Sequence, residues 1–147
     1  EGHRDAIFAT DTAQLFPSGQ PLEYSKARAF FKADPAKSWA AYVVGCLLVL
    51  AREVAGVSER LAQTSVSILV SSAVPEGKGV SSSAAVEVAT MRALLGALGL
   101  AEQVEGRQMA LLCQQVENQV VGAPCGIMDQ MSCVLGREGQ LLALLCQ

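Results

Sequence analysis

The chain has 147 residues, 51% of them hydrophobic and 17% charged, with a formal net charge of −3. That length holds one domain with a core of its own, and that apolar content excludes a disordered chain. An acidic balance is the wrong sign for a nucleic-acid surface, and the longest apolar run, residues 40–51, is too short to cross a bilayer.

In chain order, residues 5–10 (Asp-Ala-Ile-Phe-Ala-Thr) and 12–16 read as two short strands of a meander. Pro17-Ser18-Gly19-Gln20-Pro21 is turn chemistry. Asp34-Pro35-Ala36-Lys37-Ser38 is a helix start with Ser38 as the expected N-cap. Trp39, Tyr42, Val43, Cys46, Leu47, Leu50 and Val54 then recur at helical spacing up to Gly56. Trp39 and Tyr42 are read as core packing rather than as a platform for a base. In residues 63–73, Ser65, Ser67 and Ser71 alternate with Val66, Ile68 and Val70, broken at Leu69. That period predicts a half-buried strand of the antiparallel type.

Residues 84–98 predict a helix, apolar nearly all round except for Glu87, Thr90 and Arg92, and so buried on several sides. Gly99 stops it. Residues 107–121 predict a second, amphipathic helix with Met109, Leu112, Cys113, Val116 and Val120 inward and Glu117 on the flank. Gly122-Ala123-Pro124 ends it, and residues 137–140 form a hairpin-like turn into a last apolar strand. There is no internal repeat. The five cysteines are odd in number and lack a Cys-x-x-Cys, which predicts reduced thiols in a cytoplasmic protein. One histidine, His3, leaves nothing for a histidine zinc site or a Ser-His-Asp triad.

The chemistry concentrates in Val74-Pro75-Glu76-Gly77-Lys78-Gly79-Val80-Ser81-Ser82-Ser83-Ala84-Ala85. It lies where a predicted strand hands over to a helix N-terminus, whose free N–H groups and dipole favour an anion. Lys78 lies between the two glycines, so this is not the Gly-x-x-x-x-Gly-Lys-Ser/Thr phosphate loop. Ser82 stands where the dinucleotide motif needs its third glycine. A single serine N-cap would use one hydroxyl; three in succession suit phosphate oxygens or a Mg²⁺ shell.

Pro-x-Gly-x-Gly-x-Ser-Ser-Ser-Ala, here residues 75–84, resembles the second motif of the GHMP kinases. Ala110-Leu111-Leu112-Cys113-Gln114, Val116-Glu117-Asn118 and Val121-Gly122-Ala123-Pro124-Cys125-Gly126-Ile127-Met128-Asp129-Gln130 resemble their sugar-1-kinase branch. The resemblance covers the chain from about residue 38 onward. It implies an α+β fold of the ribosomal protein S5 domain 2-like type, a mostly antiparallel sheet packed against helices. Residues 1–147 would form a partial N-terminal domain.

The resemblance also implies roles. ATP would lie on Gly77, Lys78, Gly79, Val80, Ser81, Ser82 and Ser83. Ser83 and Glu117 would hold Mg²⁺. Asp129 would take the proton of the sugar's anomeric hydroxyl as its oxygen attacks the γ-phosphate. Gly122, Cys125 and Gly126, with Asp129, would face the sugar. Lys78 is either a phosphate contact or a solvated surface lysine, and Cys125 either lines the sugar or packs.

The wording of residues 38–43 and 74–91 is most similar to the arabinose-phosphorylating members, which makes L-arabinose the expected sugar and galactose the runner-up. A relative that binds sugar and ATP as a sensor without turnover is the other reading. The partners expected are the sugar and ATP, with neither nucleic acid nor membrane. The branch's earlier motif, Gly-Glu-His-x-Asp-Tyr, is not matched by Glu1-Gly2-His3-Arg4-Asp5. The chain is therefore expected to be a piece of a kinase with little turnover alone.

Overall fold

The computed structural model describes residues 6–145, and among them every regular element is helical. The helices are α1 (Thr12–Leu15), α2 (Tyr24–Lys32), α3 (Ala40–Glu53), α4 (Val57–Ala62), α5 (Ser82–Ala97), α6 (Gly106–Gln115) and α7 (Met128–Leu135). A 3₁₀ turn (Pro17–Gly19) follows α1, and a wider π-helical stretch (Val116–Val121) continues α6.

α3 is the centre. Its apolar run leaves no polar face, so it is surrounded: α2, α4, α5, α6 and the π-helical stretch all pack on it. Cys46, Leu48, Val49 and Leu50 are fully buried. Gly45 permits the closest approach. A Cβ there would stand 2.8 Å from Val116 Cγ1 and 3.2 Å from Val120 Cγ1. No helix among the described residues is long and apolar enough to cross a membrane.

α5 differs from its expectation. Ala84, Glu87, Val88, Met91, Leu94 and Leu95 are buried, while Ala89, Arg92 and Ala93 are exposed. It is covered on one side, and Ala89, Ala93 and Ala97 face water. Ser38 does not cap α3; its hydroxyl donates to the Pro35 carbonyl at 2.9 Å, and the helix begins two residues later.

The predicted sheet is not formed among the described residues. Residues 12–15 of the expected meander are helical, with Asp11 Oδ1 accepting from the Ala13 N–H at 2.9 Å as the cap. Asp5 of its first strand lies outside the described residues, as do 146 and 147 of the last. Residues 64–73 and 140–145 are irregular and make no ladder. Their alternation survives in burial alone: Val66, Ile68 and Val70 are about 40% exposed, against 96% for Leu69. Leu144 packs against the core while Leu141 is wholly exposed. Period-two patterning selects which side chains turn inward, but a strand also needs a neighbour to take its N–H and C=O groups.

Candidate active site

The glycine–serine loop enters α5 through three left-handed residues, Gly77 (φ 66°), Gly79 (φ 68°) and Ser81 (φ 58°). A Cβ at either glycine would meet nothing within 4 Å, so backbone conformation, not crowding, calls for glycine. Ser81 holds the same conformation at the usual cost of a side chain there, a strain that collects at binding sites. It occupies the N-cap position but makes no side-chain cap bond. None of the three serine hydroxyls bonds another described residue, which removes the plain helix-cap reading of the triplet. The first helical bond is Ala85 N–H to the Ser81 carbonyl at 3.0 Å, so the N–H groups before it face outward. Gly77, Lys78, Gly79 and Val80 are all exposed, and Lys78 pairs with no described carboxylate.

One turn into α5, Glu87 lies on the same helix face as Ser83, four residues before it. Its side chain is fully buried. The Gln130 side-chain amide donates to Glu87 Oε2 at 3.4 Å and to Glu117 Oε2 at 2.8 Å. Burial pushes the Glu87 carboxyl up to about 9, with the Glu117 carboxylate adding to it, so Glu87 is protonated at neutral pH. This chain of contacts ties α5 to Glu117 through Glu87 and Gln130.

Glu117 is held on the π-helical stretch, a local widening that often marks functional sites. Gly122, left-handed at φ 78°, closes the stretch, its N–H donating to the Glu117 carbonyl at 2.9 Å. Arg28 of α2 clamps the end by donating to the carbonyls of Asn118 and Gln119 at 2.9–3.0 Å. A Cβ on Gly122 would lie 2.9 Å from the Arg28 side chain, so the glycine serves this clamp.

The next loop is pinned by Asn118, which accepts from the Cys125 N–H at 2.7 Å, and by Gln114, which donates to the Cys125 carbonyl at 3.1 Å. The Cys125 thiol lies 3.6 Å from Glu117 Oε2, and desolvation and that carboxylate push it up to about 11, so it stays neutral. Gly126 is exposed with open space where a Cβ would be. Asp129 sits half-buried in the first turn of α7, next to Gln130, where the helix dipole favours its charge.

Glu117, Cys125 and Gln130 are thus in hydrogen-bonding contact, Asp129 adjoins them in the chain, and Ser83 lies one helical turn before Glu87 in α5. The exposed loop at 77–80 makes no hydrogen bond to this cluster. Tyr42, expected in the core, is only partly buried; desolvation first, then Glu117 and Glu87, raise its phenol above the ordinary range. The residues the sequence reading passed over are Glu87, Gln130, Asn118 and Arg28. A carboxylate inside an otherwise apolar helix was the available signal for Glu87. Nothing local signals Arg28, whose acceptors lie 90 and 91 positions away. No cluster of three metal-ligating acids, cysteines or histidines occurs among the described residues. A half-buried Glu117 with Oε1 unpartnered among the described residues, and serine hydroxyls that bond no described residue, have the donor chemistry of a Mg²⁺ ion, which takes one or two protein oxygens and fills its shell with phosphates and water.

The site thus has two parts, a glycine–serine loop at the start of α5 and two acids joined through Gln130. The family model described as GHMP kinases N terminal domain matches residues 41–137, and the chain belongs to that family. It is 53% identical to an L-arabinokinase of Arabidopsis thaliana over 99% of its length, which is 13% of that relative. It is 39% identical to a galactokinase of Thermococcus kodakarensis over 77% of the chain and 30% of the relative. A Streptomyces coelicolor galactokinase is 44% identical over 74% of the chain and 26% of the relative. The chain therefore spans less than a third of the length of each of these relatives. No solved structure matches it.

Proposed function

We propose that the chain is part of the N-terminal domain of an ATP-dependent sugar-1-kinase. The observation that supports this is the joining of Glu87, Gln130 and Glu117, which ties α5, one turn after Ser83, and the start of α7 to one carboxylate. In this reading the backbone and hydroxyls from Gly77 to Ser83 receive the ATP phosphates. Ser83 and Glu117 hold Mg²⁺, which when bound neutralises charge on the transferring phosphoryl group.

Asp129 accepts the anomeric proton as the sugar oxygen forms its bond to the γ-phosphorus. The bond from that phosphorus to the β–γ bridging oxygen breaks, and ADP leaves. The step asks little basicity of Asp129, so its task is placement. Gly122 supports the Arg28 clamp, and Cys125 and Gly126 border the place where the sugar would lie. L-arabinose is the first substrate, supported by similarity over nearly the whole chain; galactose is the second, supported over about three quarters of it. A cytoplasmic location suits the free thiols of Cys46, Cys113, Cys125 and Cys133.

The full-length protein incubated with ATP, Mg²⁺ and a panel of free sugars tests this. Phosphate appearing on the anomeric oxygen of L-arabinose, followed by phosphorus NMR, is the expected result. Transfer to galactose alone would move the assignment to the second sugar, and nucleotide binding with no transfer to any sugar would favour a sensor.

A further inference from the structure

Resting on that reading, we infer that Gln130 is a positioning residue for the magnesium carboxylate and that Glu87 is its buried anchor. Both side chains are fully buried, yet neither lies in the apolar part of the core. A primary amide carries two N–H hydrogens. Gln130 spends one on Glu117 at 2.8 Å and directs the other at Glu87 at 3.4 Å, with the Cys125 sulfur 3.6 Å from the same nitrogen. The bridge joins three elements: α5, the π-helical stretch and α7. Glu117 lies at the partly open end, and Glu87 at the closed end.

The arrangement has a direction. Glu117 alone is half-exposed and its side chain would sample several rotamers in water. The amide removes that freedom before any ligand arrives and leaves the second carboxylate oxygen, Oε1, without a protein partner among the described residues. An oriented carboxylate with one oxygen free is what a cation needs, and partners outside the coordination shell commonly set metal affinity. Gln130 is also the neighbour of Asp129. A single side chain therefore ties the placement of the proposed base to the placement of the metal carboxylate. Glu87 Oε1 and Gln130 Oε1 are buried without a partner, a cost that packing alone would not retain.

The test is Gln130→Met, which keeps length and volume and removes both donors, made in the full-length protein. The Mg²⁺ dependence of ATP binding is read by calorimetry and that of phosphoryl transfer by rate. We expect the Mg²⁺ concentration for half-maximal effect to rise about 10–100-fold, with much of the maximal rate recovered at saturating Mg²⁺. Glu87→Leu should shift the midpoint the same way, and Glu87→Gln, which keeps an acceptor, should restore it. If Gln130→Met fails to fold by circular dichroism, Gln130→Asn, too short to span both acids, carries the same expectation. A midpoint within twofold of wild type in a folded variant overturns the inference and leaves the kinase reading intact. Absence of transfer in the wild type, with the shift still seen in ATP binding, overturns the kinase reading and leaves the inference standing. No Mg²⁺-dependent nucleotide binding at all overturns both.

Discussion

The two halves of the candidate site are built in opposite ways. The acidic half, Glu87, Glu117, Cys125 and Gln130, is held by packing and by a bonded network whose inner members are fully buried. The phosphate half, residues 77–83, is exposed at 77–80 and half-buried at its serines, and no side-chain hydrogen bond among the described residues holds it. The difference follows from what each half would handle. Carboxylates must be fixed before a small cation arrives, because a loose carboxylate pays ordering entropy on binding. A phosphate is bound by N–H groups and hydroxyls that water can satisfy until then.

The comparison can be broken most sharply at Asp129. In the full-length protein, Asp129→Asn should lower the rate of phosphoryl transfer about 10²–10⁴-fold while the melting temperature stays put, because the side chain is only half-buried. A rate within threefold of wild type would remove Asp129 from the chemistry. Next in size is a pair of stability changes. Leu48→Ala empties a fully buried position of α3, the helix on which α5 and the π-helical stretch pack, and should cost about 2–5 kcal/mol. Leu69→Ser, at 96% exposure on the chain leading to the loop, should change stability by less than about 0.5 kcal/mol. Urea unfolding of both variants checks the contrast.

Ser83→Ala tests the phosphate half. Removing one hydroxyl from a charged ligand set should weaken Mg·ATP binding roughly tenfold, measured by calorimetry. An unchanged affinity would return the serines to a structural role.

The buried acid can also be tested by pH. Glu87 has a folded pKa of about 9 against an ordinary value of 4.5, so between those values the folded chain holds a proton that the unfolded chain has released. Stability from this group is complete below the ordinary value and is lost as pH rises toward 9. The slope is at most about 1.4 kcal/mol per pH unit, the limit for one proton. Melting curves in metal-free buffer should fall more steeply with pH for the wild type than for Glu87→Gln. Parallel curves would mean that Glu87 is charged in the fold.

Much of the site was legible because its residues occur in short runs with their own local physics. Gly77, Gly79 and Ser81 hold positive φ, and a glycine at two of the three positions announces it. The helix at 82–97, and the helix at 106–115 with its π-helical continuation to 121, follow from apolar spacing and from Gly99 and Gly122 after them. The expected sheet is absent among the described residues because alternation at 65–70 sets only which side chains are less exposed, and that holds here without any ladder. α2 and α7 were passed over: α2 follows a Pro-rich turn, and the first turn of α7 holds a motif whose residues drew attention for chemistry rather than for period.

What the sequence by itself determined is the inventory: a glycine–serine entry to a helix, a carboxylate on a helix flank, and an acid after Cys125-Gly126-Ile127-Met128. These depend on residues within a few positions of one another, where backbone preference and hydrophobic period operate. The tertiary structure alone decided the partnerships. Glu87 and Gln130 lie 43 positions apart, and Arg28 reaches carbonyls 90 positions on. No local period encodes such a meeting. It arises when α3, buried on all sides and opened at Gly45, draws α5, α6 and the π-helical stretch against itself and leaves their few polar groups only one another to bond.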